Sequence, residues 1–351
     1  SSAPLGSAFS TLENVNLSNG VKVEGGVSMD VTLRSAELNE TADNKGGITF
    51  HPTASGTRSE LHLISSNMLA LGTFGASILY EANTSSSGGD FTMQLTSSAV
   101  DAGFVFTGEG RDASAIRLVP GGDETFAIHL IDSSVAATFG PTILLTTETP
   151  SATPDNVSLS ISLDEQSSVS TEGNSPYAFV SNLDSASAHI AITNRGGWTG
   201  NAVLGGGGSD LELKDQSFMG TIFGDYDQFS GSPSDIVHQG NDNLTISGGD
   251  FNGSFYGQGG NDSVTISLTD SGNYPNSGIF DGGEANDGTH TLSDFDVFTF
   301  KNAELIEVDV SNIGNFEQLN VDGGRVSIPG KILLLDGYID DEGTTHDQGQ
   351  L

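Results

Sequence analysis

Short runs of alternating apolar and polar residues return along the whole chain. Asp30-Val31-Thr32-Leu33 is followed by Glu60-Leu61-His62-Leu63, Thr92-Met93-Gln94-Leu95 and Ala127-Ile128-His129-Leu130. Later copies end at Leu163, Ile192, Leu213, Ile246 and Ile266, and the gaps between successive ends are 30, 32, 35, 33, 29, 21, 33 and 20 residues. Recurrence at roughly 20–50 residues marks a solenoid. The residue two places before each end is apolar in every copy, from Val31 to Val264. Between the two apolar positions stand Thr32, His62, Gln94, His129, Ser162, Ala191, Glu212, Thr245 and Thr265. A period of two places these sets on opposite faces of a strand. Stacked coil on coil, the apolar columns become internal ladders and the polar ones an external stripe, and each coil relies on its neighbours to bury its apolar face.

The pattern therefore predicts an all-β parallel β-helix, with the longer gaps leaving room for a loop in each coil. Runs of helix formers at 3.6 spacing are scarce. An antiparallel sandwich of short strands with glycine turns is the competing architecture. After each polar corner a second strand is expected. It is plainest where Trp198-Thr199-Gly200, Phe218-Met219-Gly220 and Phe251-Asn252-Gly253 align, which predicts Trp198, Phe218 and Phe251 stacked inside the coil. A single β-helical unit over 1–335 is expected, with a loop or hinge at 146–156, excursions at 225–235 and 270–280, and an acidic tail at 336–351. Tyr226 and Phe229, aromatic residues on the acidic excursion at 225–235, are candidate contact points.

Charge narrows the class of partner. Asp and Glu number 46 against 11 Lys and Arg, for a net −35 over 351 residues. Such a field repels nucleic acid and anionic lipid, which need clustered basic residues, and attracts divalent cations. There is no cysteine, which excludes disulfides and thiolate metal sites and suits a chain exported unfolded. No apolar run approaches the roughly 18 residues of a membrane helix. The chain opens Ser1-Ser2-Ala3-Pro4-Leu5 and reads as a mature segment without its signal peptide.

Catalytic signatures are missing: there is no Gly-x-Ser-x-Gly elbow, no His-Glu-x-x-His and no phosphate loop. His62 and His129 share the external stripe with Gln94 between them, which makes these three candidate binding residues. Carboxylates are numerous enough for a glycosidase or lyase pair, although the scattered basic residues argue against a polyanionic sugar.

Gly257-Gln258-Gly259-Gly260-Asn261-Asp262 resembles the calcium-binding nonapeptide of RTX proteins, as do, less closely, the stretches ending at Asp210, Asp242 and Asp287. That resemblance implies Ca²⁺ held by Asp210, Asp242, Asp262 and Asp287 with turn carbonyls, while plain turns between strands, for which Gly and Asp are the ordinary residues, are the competing reading. Further on, Phe280-Asp281-Gly282-Gly283 and Ile313-Gly314-Asn315-Phe316-Glu317-Gln318-Leu319-Asn320-Val321 resemble the passenger domains of bacterial autotransporters and related surface adhesins, over about 238–330. This similarity implies a right-handed parallel β-helix exported through an outer-membrane barrel to the cell surface. It also implies a non-catalytic adhesin that binds a host protein or glycan receptor, or another copy of itself. A carbohydrate-active β-helix enzyme is the alternative.

Overall fold

A computed structural model describes residues 7–17, 20–40, 46–70, 76–82, 89–103, 114–146, 156–172, 175–183, 187–214, 216–224, 240–267, 278–283, 295–307 and 312–327. The candidate residues Tyr226, Phe229 and Asp287, and the tail at 336–351, lie outside the described residues.

The fold is a parallel β-helix. Its first face is a twelve-stranded sheet running from Ser7–Glu13 through Ser28–Arg34, Thr57–Ile64 and Gly89–Thr96 to Gln318–Ser327, with every neighbouring pair parallel. Where the residues after a strand of this face are described, a tight corner leads to a short strand of a second face, as in Asn67–Ala70, Ala99–Ala102 and Ser134–Ala137. Four successive corners place a residue in the left-handed region. Ser35, Ser65, Ser97 and Asp132 hold φ between 47° and 49° there, a conformation that short polar side chains tolerate.

Behind these residues runs a ladder of buried serines. The amides of Ala36, Ser66, Ser98 and Ser133 donate to the hydroxyls of Ser66, Ser98, Ser133 and Ser167 one coil further on, at 3.1–3.2 Å. Three of those hydroxyls donate in turn to carbonyls of their own corner, at Ile64, Thr96 and Ile131, over 2.8–3.0 Å. The corner's buried backbone is thus satisfied without water.

The long gaps hold a third strand. Val21–Gly25, Gly46–Pro52, Ala76–Glu81, Ser114–Val119, Ile143–Leu145, Tyr177–Ser181 and Asn201–Val203 form a third face. This face ends where Phe218–Phe223 pairs at one end with Gly197–Thr199 and at the other with Asn201–Val203. From there the second and third faces continue as one strand per coil, Phe251–Tyr256 and then Phe280–Asp281. A three-sided coil becomes a two-sided one, and the short spacing from Ile246 to Ile266 follows from that.

One register expectation is corrected. Ile192 lies opposite Ile161 rather than Leu163, and the end position of that coil belongs to Asn194. Asn194 is buried, and its Oδ1 accepts the Gly196 amide at 3.0 Å, so a polar side chain fits an internal column by closing its own corner. The external partner of Ser162 is then Thr193 in place of Ala191.

The apolar columns form one continuous core from Val23 to Phe316. Trp198 and Phe218 stack at 5.9 Å, Phe218 and Phe251 at 5.5 Å, and Phe251 and Phe280 at 5.5 Å, all within 26° of parallel. Nearer the N-terminus Phe50, Tyr80, Phe91 and Phe126 pack edge-on or tilted. On the other side of the third face, Leu144, Val180 and Val203 form a separate small cluster with Tyr177 and Phe223. Parallel pairing also continues across residues 147–155, joining Glu124–Ile131 to Ser158–Leu163.

Candidate functional site

The outer side of the first face carries the predicted stripe. Strand pairing sets Thr32, His62, Gln94, His129, Ser162, Thr193, Glu212, Thr245, Thr265 and Thr299 beside one another in that order. His62, Gln94 and His129 are therefore brought into one column. His62 and His129 stand two strand spacings apart, about 9–10 Å, too far to share a proton directly. His129 Nδ1 lies 2.7 Å from Ser162 Oγ, while Gln94 Nε2 reaches Thr96 Oγ1 at 3.5 Å. The first contact runs along the ladder and the second along its own strand.

Beside this stripe, two residues earlier on each strand, stand Asp30, Glu60, Thr92, Ala127, Ser160, Ala191 and Asp210. Sequence reasoning passed over Asp30 and Glu60, although the signal was an acid two places before a stripe residue. At the corner, Asn67, Ser97, Ser98, Ala99, Asp132, Ser133, Ser134 and Gln166 line a shallow polar groove of about 360 Å³. Its lining holds one carboxylate, Asp132, which accepts the Ser97 hydroxyl at 2.9 Å. Glycoside hydrolysis requires a pair of acids, and this groove supplies a single one.

The aspartates of the Gly-Asp turns separate into two kinds. Asp210 points outward, largely exposed, with His189 Nε2 at 3.5 Å and the Asn243 amide at 3.3 Å. Asp242 and Asp262 are buried and are joined by Asp296, which the sequence reading did not single out. The Asp242 amide donates to Asp262 Oδ1 at 2.7 Å, the Asp262 amide to Asp296 Oδ1 at 2.6 Å, and the Asp296 amide to Glu317 Oε2 at 2.6 Å. Asp242 lies next to Ser209, yet neither of its carboxylate oxygens reaches a donor with hydrogen-bond geometry. Burial pushes its pKa up to about 8 despite that neighbour.

Glycine is required along this column. A methyl group at Gly224 would overlap the Asp242 carboxylate and the Gly257 carbonyl, and one at Gly257 would overlap the Asp262 carboxylate and the Gly282 carbonyl. Buried carboxylate and carbonyl oxygens facing a glycine wall are a hard-oxygen donor set that suits Ca²⁺. Asp242, Asp262 and Asp296 are therefore the residues that would hold the implied cation, although they follow one another from coil to coil and do not gather at one point, and exposed Asp210 stands apart from them.

Glu124 is a further buried acid that the sequence did not reveal. It accepts the Gly121 amide at 2.9 Å and faces the buried Tyr80. Desolvation raises its pKa to about 7 against the hydrogen bonds from Gly121, Gly122 and Tyr80, with Asp123 adding repulsion. Compared with known proteins, the chain matches no family model, no curated protein and no solved structure.

Proposed function

We propose that this chain is the passenger of a secreted or surface-displayed bacterial adhesin. It acts as a non-catalytic rod whose outer face binds a host protein or glycan receptor, or another copy of itself. The observation that carries this reading is the in-register polar ladder on the first face, continuous from Thr32 to Thr299. Side chains repeated at strand spacing on a rigid sheet suit many weak contacts made together, which multiply into useful avidity. The resemblance of the C-terminal motifs to autotransporter passengers supports export to the cell surface. The charge of −35 supports a partner other than nucleic acid or anionic membrane.

The test is adhesion and autoaggregation of bacteria that display the chain, with Gln94→Arg and Ser162→Arg placed in the middle of the ladder. Both positions point outward, so melting should be unchanged while adhesion falls. Adhesion equal to that of the parent chain would remove the ladder as the binding face. Replacing Tyr226 and Phe229 by Ser tests the excursion as the alternative contact. Release of product from a glycan panel would replace the adhesive reading with the enzymatic one.

A further inference from the structure

We propose that Asp30, Glu60 and His62 form a binding site for a divalent cation of the zinc class on the outer side of the first face, a site that shares His62 with the polar ladder but does not rest on the adhesive reading. The topology builds it. Asp30 and Glu60 are register partners on the adjacent strands Ser28–Arg34 and Thr57–Ile64, and His62 follows Glu60 by two residues on the same side. One donor atom from each residue lies within 4.8 Å of the other two, and all three residues are half-buried. His62 Nε2 stands 3.5 Å from Glu60 Oε2. That separation is long for a hydrogen bond. It is close to the spacing of two ligands that share one ion, since donors about 2.1 Å from a tetrahedral metal stand about 3.4 Å apart.

The donor set selects the ion. Two carboxylates alone would favour Mg²⁺ or Ca²⁺, and the imidazole shifts the preference toward Zn²⁺ and its neighbours. Three protein ligands leave the fourth position open to water. The sheet supplies rigidity, because both strands are paired on either side, to Ser7–Glu13 and to Gly89–Thr96. Arg58 is the local competitor: its guanidinium pairs with Glu60 Oε1 and leaves Oε2 toward His62. The excess of negative charge over the whole chain draws cations to this face.

The experiment uses the full chain stripped with EDTA and exchanged into buffer with excess Ca²⁺, which occupies any all-oxygen site. Co²⁺ is then titrated as an optical probe, and Zn²⁺ is titrated by calorimetry. One Co²⁺ per chain should give visible absorption bands that Zn²⁺ abolishes. His62→Gln and Glu60→Gln should each weaken binding by about tenfold or more, with circular dichroism and melting unchanged because both side chains lie outside the core. Arg58→Gln, which removes the competing cation, should tighten it. If His62→Gln binds Co²⁺ as the parent does, the ion is an adventitious ion only, held by the acidic surface. That result, or an absence of bands in the parent chain, overturns the proposal.

Discussion

At the scale of single residues, the corners are held by hydroxyls and the interior carries acids. Ser98 Oγ receives the Ser66 amide from the corner one coil earlier and donates to the Thr96 carbonyl of its own corner. Ser98→Ala would leave that amide without a partner, at a cost of about 1–3 kcal/mol, measurable by denaturant titration. The same change at exposed Ser97 should cost much less. Glu124 predicts a pH dependence. Its folded pKa of about 7 stands above the ordinary glutamate value of 4.5, so between these values the folded chain holds a proton that the unfolded chain has released. Its contribution is fully present below about pH 4.5 and is lost as the pH rises toward 7. A shift of this size amounts to about 3 kcal/mol at most. Glu124→Gln keeps the acceptor for Gly121 and removes the titration, so its melting temperature should fall less between pH 5 and pH 8 than that of the parent. Parallel melting profiles would show that Glu124 ionises at its ordinary value in the fold. None of this was legible in advance, because a serine after an alternating run, or a Glu beside Gly121 and Gly122, looks like ordinary turn chemistry until neighbouring coils close over it.

At the scale of elements, alternation made the first face readable and stacking fixed its register. Val31, Leu61, Met93 and Ile128 needed no structure to be placed on one internal column. The register slipped once, at Asn194, where an internal position is polar and the nearest alternating pair two residues earlier mimicked it. The third face was hidden for a different reason. In Ile143–Leu145 and Tyr177–Ser181 both sides of the strand are buried, so the period-two signal vanishes and the segment reads as part of a loop. The glycine and aspartate column was visible as a motif, yet its members were not separable. Spacing alone could not tell outward Asp210 from inward Asp242, nor reveal Asp296. The calcium reading of this column predicts that excess Ca²⁺ over EDTA raises the melting temperature and that Asp242→Asn removes most of the rise. Equal melting with and without Ca²⁺ would leave Asp242 as a buried neutral acid.

At the scale of the whole molecule, contacts run almost wholly between neighbouring coils, so stability is a chain of nearest-neighbour terms rather than a property of one centre. The aromatic spine through Trp198, Phe218, Phe251 and Phe280 binds the coils where three faces become two, and Phe218 is one of its two inner links. Phe218→Ala removes a buried ring and both stacking partners at once, a loss of about 3–5 kcal/mol. In a single cooperative core that loss would lower protection everywhere. In a solenoid it falls on the coils beside the gap. Hydrogen exchange should therefore speed up at Gly197–Thr199 and Phe251–Tyr256 while Thr57–Ile64 and Gly89–Thr96 keep the rates of the parent chain. A uniform rise in exchange across both regions would show that the rod unfolds as one unit, and local weakening of one coil would then be felt along its whole length.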